Sequence, residues 1–162
     1  MIAVPGVPTV SAGLLDELGD ESGQTPSTAS VATESGAEFT VAPPDGWQVE
    51  QQPNRAVLRS GDAVVVVEAH DRDGRDVAQL AERLLRMDRV RGVSAAFDGG
   101  TVATGDGALS GGTCVVTTVD TVGTCAVLSD DDTVLYVQSR GNPDHPAPPV
   151  STILDDLQRT RP

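Results

Sequence analysis

Ala63-Val-Val-Val-Val-Glu-Ala69 constrains this chain more than any other stretch. Four consecutive valines leave no polar face, so a strand formed here is buried on both sides and sits centrally in a covered sheet. β-Branched side chains suit a pleated backbone better than a helical one. Turn residues bracket the run, with Ser60-Gly61-Asp62 before it and Asp71-Arg-Asp-Gly-Arg75 after it. Arg55-Ala-Val-Leu-Arg59 reads as the preceding strand.

Beyond the polar loop the period changes. Asp76 is placed to cap a helix whose apolar positions are Val77, Leu80, Ala81, Leu84 and Met87, and Gly92 is a natural stop. Strand-like runs follow at Val93 to Phe97, Thr101 to Thr104, Thr113 to Val119, Thr121 to Leu128 and Thr133 to Ser139. A proline-rich segment from Asn142 to Pro149 leads into a last helix, with Val150, Ile153, Leu154 and Leu157 on one stripe. Helices with a single apolar stripe need a sheet to lie on. The expected class is α+β, a mostly antiparallel sheet packed by amphipathic helices.

The first 37 residues read differently. They hold one short helical patch, Ser11 to Leu18, and then a Ser/Thr/Gly-rich run too poor in large apolar side chains to offset its ordering entropy. The expected division is a flexible acidic linker over residues 1–37 and one domain over 38–162. Residues 1–38 contain Asp16, Glu17, Asp20, Glu21, Glu34 and Glu38 but no basic residue.

Charge narrows the partners. The 162-residue chain has a net charge of −13 and a pI of about 4.2, and all eleven of its basic residues are arginines. This balance disfavours a phosphate backbone, which is held by many cations, and anionic lipid headgroups. With 2% aromatic residues there is no stacking platform for single strands either. No apolar run reaches the roughly 18–20 residues of a spanning helix. Nucleic-acid binding and direct membrane insertion are therefore not expected; a protein partner is.

The run Phe39-Thr-Val-Ala-Pro-Pro-Asp-Gly-Trp47-Gln-Val combines a short strand, a Pro-Pro break, an Asp-Gly turn and a second strand opened by the only tryptophan. This run, with the strand and helix order over residues 38–160, resembles the PsbP/Mog1-like fold of actinobacterial cell-envelope proteins. The nearest groups are mycobacterial lipoproteins of this fold and the C-terminal extracytoplasmic domain of type VII secretion-associated proteins. There is no lipobox cysteine near the start, a departure from the first group; a linker followed by a domain suits the second. The resemblance implies an extracytoplasmic module, tethered as part of a longer membrane-anchored protein, that binds a protein partner in the cell envelope.

Cys114 and Cys125 lie eleven positions apart on two strand-like runs. A hairpin turning at Val119–Asp120 sets them opposite each other, poised for a disulfide worth roughly 3 kcal/mol in the chain-entropy model. The alternative is a pair of reduced thiols packed as small hydrophobes. A bridge implies an oxidising, extracytoplasmic compartment.

No catalytic constellation stands out. Ser110 in Ala108-Leu-Ser-Gly-Gly112 echoes a nucleophile elbow but is followed by a strand, not the required helix. His70 and His145 are the only histidines and read as loop chemistry. In the loop Asp71 to Asp76, Gly74 sits in the wrong position for an EF-hand. No cofactor or metal site is expected. The partner-binding candidates are Trp47, weighed against a buried anchoring role, and an arginine face carrying Arg75, Arg86 and Arg89. The function expected is a non-catalytic extracytoplasmic interaction domain; the alternative is a carrier or sensor of a small or lipidic ligand in the cleft between sheet and helix.

Overall fold

β5 (Ala63–Asp71) holds the valine run and pairs with β4 (Arg55–Ser60) on one side and β9 (Thr133–Gly141) on the other, antiparallel to both. The computed structural model describes residues 28–161. The seven-stranded sheet has the order β3 (Gln48–Gln52), β4, β5, β9, β8 (Val122–Ser129), β7 (Ser110–Thr117) and β6 (Ser94–Ala103). A second sheet has β2 (Glu38–Val41) between β1 (Ala29–Ala32) and β10 (Gln158–Arg161). Helices α1 (Val77–Val90) and α2 (Val150–Asp156) complete a mixed α+β architecture whose strand pairs are all antiparallel.

The valines divide by parity, as a doubly buried strand requires. Val65 and Val67 point into the main core, with Leu58, Ala126, Leu128, Leu135 and Val137 from neighbouring strands. The small sheet and α2 close that core with Phe39, Val41, Ile153 and Leu154, each no more than 4% exposed. Val64 and Val66 point to the opposite face. The β4–β5 turn is tight: Gly61 has φ +58, and a Cβ there would fall 2.2 Å from the His145 ring.

Helix α1 begins where expected, with the Asp76 side chain accepting from the Ala78 N–H. Its buried stripe is rotated from the expected one. Leu80, Ala81, Leu84, Leu85 and Asp88 face inward, while Met87 is 46% exposed. The helix rests on Cys114, Val116, Cys125, Val127, Val134 and Tyr136, which belong to β7, β8 and β9.

The expected domain boundary at residue 38 is corrected. Within the expected linker, β1 pairs with β2 from Ala29↔Val41 to Ala32↔Glu38, and Ala29, Val31 and Ala37 are buried. Small residues suffice there because Phe39 and the large sheet supply the apolar partners, so the segment needs little side-chain bulk of its own. The earlier part of that linker, with the helix expected at Ser11 to Leu18, lies outside the described residues. β10 was not expected either. Its sequence Gln-Arg-Thr-Arg carries no apolar alternation, and it forms by completing the hydrogen bonds of β2.

Candidate functional site: the uncovered half of the large sheet

Among the described residues, helix α1 covers only the β6–β9 side of its face. On β3, β4 and β5 the residues on that face follow from the register. Gln48, Arg59, Val64 and Arg140 form one row, Glu50, Val57, Val66 and Gln138 the next, and Gln52, Arg55, Glu68 and Tyr136 a third. Val57, Val64 and Val66 make a small apolar cluster separate from the one beneath α1. Val64 lies directly between Arg59 and Arg140, whose aliphatic stems are long enough to shield it while their heads reach water.

At the border between the covered and uncovered halves, the last turns of α1 place Asp88 against β9. Its carboxylate is 3% exposed and accepts from the Tyr136 hydroxyl at 2.5 Å and the Gln138 amide at 3.1 Å. Arg91 Nη1 lies 3.7 Å away. Burial pushes the Asp88 carboxyl above its ordinary value, against the opposing pull of the Tyr136 hydrogen bond. Burial and then the adjacent Asp88 raise the Tyr136 hydroxyl as well. Beside them Glu68, 7% exposed, has one oxygen 3.1 Å from His70 Nε2 and the other 3.6 Å from Arg55 Nε.

This cluster was missed in the sequence, although a signal was present. Asp88 stands seven residues after Ala81, four after Leu84 and three after Leu85, which is the spacing of one helical stripe. The arginines of the open face also had a signal. Arg55, Val57 and Arg59 share parity on one strand, so they project to the same side.

Among the three arginines of the open half, Arg55 faces Glu68 and Arg59 has a loose contact with Glu50 at 3.8 Å. Arg140 meets only neutral acceptors, Gln138 Oε1 at 3.3 Å and Thr121 Oγ1 at 3.2 Å, and no carboxylate among the described residues lies within ion-pair distance. Burial first, and then the repulsion of Arg59, make Arg140 easier to deprotonate than an ordinary arginine.

The sequence candidates fall in separate places. Trp47 is 8% exposed and belongs to the main core, so it anchors the chain and is not an exposed partner contact. Arg75 is not on α1. Its guanidinium donates to the backbone oxygens of Arg72 and Asp71, at 3.1 and 3.0 Å, and knits their loop. Arg86 and Arg89 are exposed on α1, and Arg89 in the last turn complements the helix dipole. Of the three expected arginines, only Arg86 and Arg89 therefore stand on the helix itself, with Arg75 in the loop before it.

Cys114 and Cys125 are register partners and form a disulfide, with Cα atoms 4.8 Å apart. The acidic loops have structural work. Asp71 accepts from the Ser35 hydroxyl and N–H, which holds its carboxyl below the usual range. Asp130 accepts from the N–H groups of Asp132 and Thr133 and pairs with Arg159 at 2.7 Å. Among the described residues no cluster of His, Cys, Asp and Glu has metal-holding geometry.

A groove of about 230 Å³ lies between α1 and β5–β9, lined by the apolar Leu80, Leu84, Met87 and Val134 and by the polar His70, Arg75 and Arg83. No helix among the described residues is long and apolar enough to cross a membrane. No protein-family model matches the chain, and no curated protein does.

Proposed function

We propose that this chain is a non-catalytic, extracytoplasmic protein-interaction domain of PsbP/Mog1-like type, from an actinobacterial cell-envelope or type VII secretion-associated protein. The observation that carries the reading is the uncovered half-face. It offers an ordered surface of cross-strand rows in which arginines stand over buried valines. Arginine is enriched at interfaces while lysine is depleted, and flat sheet faces suit a protein partner better than a small molecule. The disulfide supports placement in an oxidising compartment.

Site-specific photo-crosslinking in intact cells tests this. A photoreactive residue at position 48 or 50 should give a discrete protein adduct, while one at position 79, on the outer side of α1, should not. No adduct from any position on the half-face would sink the reading.

The groove between α1 and the sheet favours a second reading, a carrier or sensor of a small or lipidic ligand. Its volume admits only a compact ligand, and the main core on the opposite face is filled by side chains. Saturable binding of an apolar dye, abolished by Leu84→Trp, would favour the carrier.

A further inference from the structure

We propose that the half-face at Arg55, Arg59 and Arg140 receives a carboxylate-rich segment of a protein partner. The assignment rests on the protein-interaction reading and adds the partner's chemistry to it.

The spacing of the arginines selects the occupant. Arg59 and Arg140 flank Val64, two strands apart, which sets their Cα atoms roughly 10 Å from each other. Arg55 and Arg59 are four residues apart on β4, roughly 13 Å along the strand. One compact anion cannot engage all three. A polypeptide with several carboxylates can, and the planar guanidinium is suited to taking each one bidentately.

The floor selects further. Val57, Val64 and Val66 lie between the cations but are only 6%, 5% and 2% exposed, so apolar side chains of an alternating acidic and apolar occupant would rest on the arginine stems that cover them. The surrounding charge excludes the commoner polyanions. A molecule carrying −13 repels polynucleotide and anionic bilayer over distances at which three arginines cannot compensate. A short acidic segment meets the local cations without bringing an extended negative surface.

Arg140 gives the independent sign that something is missing. This protein has 24 acidic and 11 basic residues, so an arginine has carboxylates available more than twice over. Among the described residues Arg140 is nonetheless half-buried beside Arg59 with neutral hydrogen-bond acceptors only. A cation held partly away from water and near a like charge is only partly compensated, here at longer range by Asp88, and an incoming carboxylate would relieve it further.

The test uses the full chain and a fluorescent peptide of alternating Glu and Val, with a counterpart carrying Gln for Glu. The acidic peptide should bind and perturb amide resonances of β4, β5 and β9. Arg140→Gln and Arg59→Gln should each weaken it by about tenfold, while the Arg86→Gln, Arg89→Gln pair leaves it unchanged. Arg140→Lys, which keeps the charge, should recover part of the affinity, and unchanged thermal unfolding of each variant shows that the fold is intact.

Equal binding of the Gln peptide would overturn the proposal. So would perturbations confined to the β3 edge, which would mean strand addition, or equally tight citrate binding with the same footprint, which would mean a small-anion site. Loss of a dimer in Arg140→Gln would make the occupant a second copy and also overturn it. If photo-crosslinking finds a partner through another surface while the peptide fails, only this docking assignment falls. If the peptide binds but crosslinking finds no partner, the protein-interaction reading falls instead.

Discussion

The two faces of the seven-stranded sheet are closed by different means. One is sealed by a second sheet and α2, and its interior is almost wholly apolar. The other is half sealed by α1, and at the edge of that cover polar groups are buried: Asp88, Glu68 and Gln138 are each at most 7% exposed. A sealed face gains most from removing apolar area from water, so shape and volume decide its stability. A half-sealed face must pair every buried polar group at its border, because an unsatisfied one costs about 1–3 kcal/mol. The first face is closed by apolar packing, and the second in part by pairing polar groups.

The largest expected effect tests whether β1 belongs to the sealing layer. A chain starting at Ala37 lacks Ala29 and Val31, 0% and 2% exposed, and uncovers Phe39 and Val41. It should lose roughly 4–6 kcal/mol, a large share of a typical domain's stability. An unchanged denaturant midpoint would show that β1 seals nothing.

Next comes a matched pair of truncations. Leu154→Ala, in the sealed core at 0% exposure, should cost about 4 kcal/mol, and Leu84→Ala, under α1 at 9%, about 2 kcal/mol. Equal losses in urea melts would erase the contrast between the faces.

The disulfide lies under α1, where Cys114 and Cys125 are both fully buried. Reduction should lower stability by about 3 kcal/mol, read as a drop in melting temperature with a mass gain of two hydrogen atoms. Two titratable thiols in protein purified without reductant would remove the argument for an oxidising compartment.

The smallest effect concerns the polar border. Tyr136→Phe deletes one donor to Asp88 and should cost about 1–2 kcal/mol. The pH dependence has a definite sign. The folded-state pKa of Asp88 lies above its ordinary 3.8, so its contribution is fully present below that value and is lost as pH rises through the folded pKa. Asp71 and Asp130 have lowered values, so their contributions are present above 3.8 and fade as pH falls. Asp88→Asn should therefore remove a loss of stability on the alkaline side of 3.8 and leave the acid limb in place. A parallel shift of the whole profile would show that Asp88 does not titrate with folding.

Much of the site's framework was legible in local pattern. The valine run announced a doubly buried strand, Asp76 a helix start, and the facing cysteines a hairpin, because each depends on residues near in sequence and on a fixed backbone period. Which arginines share a surface was not legible. Arg140 meets Arg59 only because β9 inserts beside β5 and skips three intervening strands, a pairing that no local period encodes.

The sequence by itself determined the class of secondary structure, the positions of most strands and both helices, and the hairpin carrying the two cysteines. Tertiary structure decided three things: that residues 29–32 are a strand, that Trp47 is core, and that Asp88 is a buried acid at the edge of an open half-face. The physical reason is the same for all three. Periodicity states which side of an element is apolar, but the partner layer, and how far it extends, decides whether that side is covered.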